Sequence, residues 1–112
     1  MIAIMTFSRY LGIICFLFSF QIQAADAIAG KVRYNQTCIN CHGPAGKGAS
    51  SYPKISGKEV AYTIEKLGIY RSGIEIGPNS ALMIMGAKAL TDEEIANIAE
   101  YLKDAKYDVN SL

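Results

Sequence analysis

Cys38-Ile39-Asn40-Cys41-His42 is the stretch on which the reading of this sequence turns. Two cysteines three apart, followed at once by histidine, form the pattern by which a haem is attached covalently to a polypeptide. The spacing has a mechanical basis. One turn of backbone presents both sulfurs to the two vinyl groups of a haem, and the next side chain can then reach beneath the iron. The thiols of Cys38 and Cys41 form thioethers that prevent loss of the haem, and the imidazole of His42 donates a nitrogen lone pair to iron as the proximal ligand. Three other chemistries use the same residue types, and each lacks something here. A thioredoxin-like redox pair wants a βαβ setting, a structural disulfide gives no reason for the adjacent histidine, and a structural zinc site needs four protein ligands. Past residue 24, Cys38, Cys41 and His42 are the only cysteines and histidine.

Working outward, the N-terminal residues read as an address and not as fold. Arg9 is the only charge before Asp26, Tyr10 to Phe20 is apolar, and Gln21 to Ala25 is short, polar and small. A positive start, an apolar middle and a small-residue end match a secretory signal. Cleavage after Ala24, or after Ala27 where Ala25-Asp26-Ala27 supplies an A-x-A pattern, leaves one domain over residues 25–112. The apolar run is too short for the ~20 residues that span a bilayer. Haem of this type is attached outside the cytoplasm in bacteria, so the signal supports the motif independently and implies a periplasmic protein. The whole chain of 112 residues has a formal net charge of +1, 51% hydrophobic and 19% charged residues, which fits a single folded domain and gives no reason to expect nucleic acid as a partner.

The remaining chain reads as all-α, with three main helices and long loops and no convincing strand alternation. Residues 26–37 suit a short amphipathic helix through Ile28, Ala29 and Val32, with Gly30 and Tyr34 sharing a face. Gly43 to Pro53 is a loop. Ser56 with Glu59 resembles a capping box, and Val60, Ile64 and Leu67 then recur at helical spacing until Gly68 or Gly73. Ile74 to Ala89, broken by Gly77-Pro78-Asn79, reads mostly as loop. The last helix is the clearest: Thr91 caps it, Asp92, Glu93 and Glu94 suit the positive end of the helix dipole, Leu90 can staple against Ile95, and Ile95, Ile98 and Leu102 form one apolar stripe. Loops this long in so small a domain need something to pack against.

The order of these pieces resembles the class I cytochrome c family, in its small bacterial monohaem branch related to the c4, c5 and c553 types and to the haem subunit of flavocytochrome c sulfide dehydrogenase. The residues that carry the resemblance are Gly30-Lys31 and Tyr34, Cys38 to His42, Gly43-Pro44-Ala45-Gly46-Lys47-Gly48, Pro53 with Gly57, Tyr70-Arg71-Ser72-Gly73, and Leu90 to Ile95 through Tyr101. The resemblance implies a cytochrome c fold wrapped around one covalent haem c. It also implies that Gly30 and Tyr34 cross the last helix near Ile98 and Tyr101, and that the Pro53 carbonyl accepts a hydrogen bond from the His42 ring and so fixes it.

For the sixth iron ligand, bis-histidine ligation within the chain is excluded, because His42 is the only histidine. Met83, Met85, a lysine or an open site remain. In an extended loop the two methionines face the same side, so periodicity does not separate them. Family spacing favours Met83, which stands seven residues before Leu90, and His42 and Met83 are then the expected metal ligands. Iron with six ligands offers no position to a substrate, and no general base is available beyond His42, so the expectation is single-electron transfer and not bond-making chemistry. The expected partners are redox proteins: a periplasmic dehydrogenase or a cytochrome bc1-type complex as donor, an oxidase or reductase as acceptor, with the protein either free or a bound haem subunit. The competing class is a five-coordinate haem protein that binds a gas or peroxide. Lys47, Lys54 and Lys58 could ring an exposed haem edge, although lysines of this kind are more often simply solvated.

Overall fold

A computed structural model describes residues 24–111. The expected signal segment, apart from Ala24, lies outside the described residues. Five α-helices follow in order: α1 (Ala27–Thr37), α2 (Ile39–His42), α3 (Val60–Arg71), α4 (Ser80–Ala87) and α5 (Asp92–Asp104), with 3-10 turns at Pro44–Gly46 and Val109–Ser111. No strand occurs among the described residues; a single isolated bridge joins Ala49 and Tyr52.

The scaffold is the crossing of α1 and α5. Asp26 caps α1, its carboxylate accepting from the Ile28 and Ala29 amides at 2.8 and 3.1 Å. Gly30 and Tyr34, one helical turn apart, are the buried residues of α1. A Cβ placed on Gly30 would stand 1.9 Å from the backbone oxygen of Asn97, so only glycine lets the two helix backbones come this close. On α5, Ile95, Asn97, Ile98, Ala99 and Leu102 are buried. The Asn97 amide oxygen accepts from the Asp26 backbone N–H at 2.7 Å, and the rings of Tyr34 and Tyr101 meet at 5.5 Å. The expected amphipathic face of α1 is therefore wrong in one respect: Ile28 and Val32 are 79% and 57% exposed. Shape selected the contact, since the close crossing leaves room for glycine and a flat ring but not for branched side chains.

The end signals of α5 are realised. Thr91 Oγ1 accepts from the Glu94 amide at 3.1 Å, and Leu90 and Ile95 join Tyr34, Ala87, Ile98 and Leu102 in one core cluster. The Glu94 carboxylate reaches back to the cap residue, accepting from the Thr91 hydroxyl at 3.3 Å and from the Thr91 backbone, and it also pairs with Arg33, bridging α5 to α1.

Two local expectations are corrected. Ser56 does not cap α3, which begins at Val60 after Glu59 with no side-chain cap bond; Ser56 is instead buried in the loop. The segment read as loop between Ile74 and Ala89 contains α4. Pro78 and Asn79 form the turn that leads into it, and the Ser80 hydroxyl accepts from the Ile76 and Gly77 amides, both at 2.8 Å. Gly77-Pro78-Asn79 thus starts a helix as well as breaking a pattern, in keeping with the preference for proline next to helix N-termini. α4 packs chiefly on α3, and α3 on α5. Arg71, the last residue of α3, donates to the Leu90 carbonyl at 3.1 Å and pairs with Asp92 at 2.6 Å, closing the segment that carries α4.

Candidate functional site

The cysteine–histidine stretch is set by helix geometry. The Cys38 amide donates to the Tyr34 carbonyl at 2.9 Å, closing α1, and the His42 amide donates to the Cys38 carbonyl at 2.9 Å, forming the single turn of α2. One turn therefore carries Cys38, Cys41 and His42 in succession, directly after the helix locked into the α1–α5 crossing. The Tyr34 hydroxyl donates to the Gly43 carbonyl at 2.6 Å and ties the end of that turn to the core. Burial pushes the Tyr34 phenol up to about 12.

Past His42 the chain reverses. Gly43 takes φ 76° and Gly48 takes φ 85°, and a Cβ on Gly48 would come within 2.9 Å of the Lys54 nitrogen. The Gly48 amide donates to the His42 carbonyl at 2.7 Å. This return brings Pro53 over the histidine: His42 Nδ1 lies 2.9 Å from the Pro53 carbonyl oxygen. A carbonyl has no proton to give, so Nδ1 must be the donor, and in the neutral ring the lone pair is left on Nε2. Nε2 makes no hydrogen bond to any described residue, although His42 is only 6% exposed. The ring is held at one nitrogen and available at the other. Tyr52 meets it edge-on, with centroids 6.3 Å apart.

Cys38 and Cys41 form no disulfide, and each is partly exposed. Burial pushes the Cys38 thiol above its ordinary value, with the Arg33 charge as the main opposing influence. Two accessible sulfurs and one oriented imidazole nitrogen on a single turn are the donor set that a covalently bound haem requires. Among the described residues no group of three or more histidine, cysteine or acidic side chains could hold a bare metal ion.

Met83 and Met85 lie on α4, so the expectation that they share a side fails. On a helix, residues two apart are separated by ~200°. Ser80, Met83, Ile84 and Ala87, at helical spacing, form the buried or half-buried face, while Met85 is 75% exposed beside exposed Leu82. On α3, Leu67 and Tyr70 pack against the core, whereas Tyr62 and Ile64 do not. Lys47 and Lys58 lie over the rings of Tyr107 and Tyr62, at 3.7 and 5.7 Å from their centroids. Sequence reasoning missed Asn97 and Arg71 as positioning residues. Asn97 offered one signal, a polar side chain next to the apolar stripe of α5.

The chain belongs to the cytochrome c family, whose model matches residues 27–106. It is 43% identical over 79 residues to cytochrome c-554(548) of Halomonas halodenitrificans, covering 70% of this chain and 94% of that one. Cytochrome c-554(547) of Halothiobacillus neapolitanus is 31% identical over 91 residues, covering 74% of this chain and all of that one. Among solved structures, cytochrome c4 of Acidithiobacillus ferrooxidans superposes with a TM-score of 0.64 at 31% identity, over 76% of this chain and 52% of the c4 chain. The chain thus spans about half the length of that c4 protein and nearly all of the c-554 proteins. The all-α cytochrome c fold, the electron-transfer class of its relatives and one covalent haem c bound through Cys38 and Cys41 follow from this membership. No helix among the described residues is long and apolar enough to cross a membrane.

Proposed function

We propose that this protein is an exported single-electron carrier whose one haem c has its iron held between His42 and Met83. The observation that carries the reading is the Pro53–His42 hydrogen bond, which fixes the ring and leaves Nε2 as the donor atom immediately after the two thiols. The haem supplies a reversible one-electron change at iron; everything else is done by the chain. Pro53 orients the imidazole and raises its basicity. Met83, on the inward face of α4, would supply a thioether to the iron, and thioether ligation would favour the reduced state relative to a second nitrogen ligand. Met85, on the opposite face, is left without that role.

Residues 1–24 act as the signal and 25–112 as the mature periplasmic domain. The partners are redox proteins: a periplasmic dehydrogenase or a bc1-type complex as donor, an oxidase or reductase as acceptor. Support for a dehydrogenase donor comes from a relative in Stutzerimonas stutzeri, named a thiosulfate dehydrogenase electron acceptor, which is 37% identical over 65 residues, 30% of its length.

The test is made on protein exported in a host that matures c-type cytochromes. Expected are the haem mass added to the cleaved chain, a one-electron reversible redox titration, and slow uptake of carbon monoxide by the reduced form at neutral pH. Met83→Ala abolishes the long-wavelength methionine-to-iron absorption band and opens the iron to carbon monoxide, while Met85→Ala leaves both unchanged. Rapid carbon monoxide binding by the unsubstituted protein overturns the carrier reading in favour of a gas- or peroxide-binding haem protein.

A further inference from the structure

The loop after the haem-attachment turn and the end of α5 enclose a cleft that electron transfer does not require. The two are stitched together by backbone: the Gly46 carbonyl accepts from the Ile55 and Ser56 amides at 2.9 and 3.2 Å, and the Gly57 amide donates to the Leu102 carbonyl at 2.9 Å. A Cβ on Gly46 would stand 2.9 Å from Leu102 Cδ2, so the loop lies directly on the helix. Lys47, Lys54, Ser56, Ala105, Lys106 and Tyr107 line the resulting space of about 410 Å³.

Three features of this lining point the same way. Its charged groups are all lysines, and no aspartate or glutamate contributes to it. None of Lys47, Lys54 and Lys106 forms an ion pair with a described residue, whereas the nearby Lys103 is paired with Glu100 and Asp104. Asp108, whose carboxylate accepts from the Asn110 amide, lines the adjoining groove and not this one. Finally, Ser56 is only 6% exposed, yet its hydroxyl has no hydrogen-bond partner among the described residues and lines the cleft. The Ser56 oxygen meets the open space of the cleft and not a sealed interior, so it is free to donate to a polar group that enters.

We propose that this cleft is a binding site for a free tetrahedral dianion of the size of sulfate or hydrogen phosphate. The Ser56 hydroxyl donates to one oxygen at the base, and the ammonium groups of Lys47, Lys54 and Lys106 converge on the rest from three separate segments. Lys47 is drawn towards the rim by its position over the Tyr107 ring. A monovalent halide matches this arrangement poorly, because it cannot satisfy the hydroxyl and three dispersed ammonium groups at once. The site is independent of the axial ligands of the iron.

The test is a sulfate titration of the reduced, isotope-labelled holoprotein, followed by amide chemical shifts, with chloride at matched ionic strength as the comparison. Saturable shifts at Lys47, Lys54, Ser56, Lys106 and Tyr107, with no counterpart in chloride, are expected. Ser56→Ala weakens sulfate about tenfold, as expected for loss of a hydrogen bond to a charged group. Lys106→Gln, at the exposed rim, weakens it several-fold without threatening the fold, and Lys88→Gln leaves it unchanged. Non-saturating shifts spread over Lys31, Lys66 and Lys88, equal shifts with chloride, or full affinity in both Ser56→Ala and Lys106→Gln overturn the proposal. Unchanged visible haem spectra in these variants keep this outcome separate from the test of the axial ligands.

Discussion

Where α1 crosses α5, the two backbones touch through Gly30, and Tyr34, Ile98 and Leu102 are excluded from solvent around that point. α4, which carries both candidate methionines, buries Ser80 and Ala87 against the rest of the chain. The first region is held by shape, over many close contacts. The second is held by a few polar pins at its ends: the Ser80 hydroxyl at its start, and Arg71 on Leu90 and Asp92 beyond its finish. The difference separates two jobs. The haem-attachment turn grows directly out of the packed crossing, whereas α4, from which the proposal draws the methionine ligand, is positioned by the pins at its two ends.

Gly30→Ala attacks the crossing where it cannot yield, because the obstacle is the Asn97 backbone oxygen and not the end of a flexible side chain. It is expected to cost about 3 kcal/mol or more, read as a large fall in thermal midpoint of the holoprotein or as failure to accumulate. Near-normal stability would mean that the crossing is looser than described. Tyr34→Phe is expected to cost about 1 kcal/mol, since the Gly43 carbonyl keeps the Gly46 amide as a second donor. The same residue makes a pH prediction. Its folded pKa of about 12 lies above the unfolded value of 10.0, so the stabilisation is fully present below about pH 10 and is lost as pH rises towards 12. Ultraviolet difference titration should show a tyrosine component that ionises only near pH 12, and that component should vanish in Tyr34→Phe.

Arg71→Gln probes the other region. About 1 kcal/mol is expected from the lost bond to the Leu90 carbonyl, and it should fall on the loop and not on the core. With Met83 as the proposed ligand, the thermal midpoint then moves little, while the methionine-to-iron band is lost at milder pH or temperature; parallel losses of both would erase the distinction between the regions. Glu94→Gln has the smallest effect, a few tenths of a kcal/mol once solvent screening is counted. The hydrogen bond from Arg33 holds the Glu94 carboxyl below its ordinary value of 4.5. The wild-type advantage is therefore present above about pH 4.5 and disappears as the pH falls through the lowered folded value, which paired melts at pH 7 and pH 3 would detect.

The legible parts of the sequence were those whose cause is local. Thr91 with its acidic first turn announces α5 because capping and dipole effects act within four residues, and the thiols and imidazole of one short stretch announce the haem because the chemistry needs them adjacent. α4 was illegible for the opposite reason. Ser80 to Ala87 is apolar on nearly every side, so hydropathy has no period to reveal, and the helix exists because α3 receives one face of it. Ile28 and Val32 misled in the same way: hydropathy marked them as a buried face, and only the partner helix could show that glycine was needed there instead. Ser56 resembled a cap by spacing, yet its place was decided by the Gly46 carbonyl and the end of α5.

By itself, then, the order of residues determined which cofactor is attached, at which two thiols, and that the fold is helical, since each of these depends on neighbours in the chain. The tertiary structure alone decided which ring nitrogen of His42 is free, which methionine is turned inward, and where three lysines and a lone hydroxyl meet. Those depend on groups brought together from distant positions, and no local pattern encodes a distance between segments that only packing brings side by side.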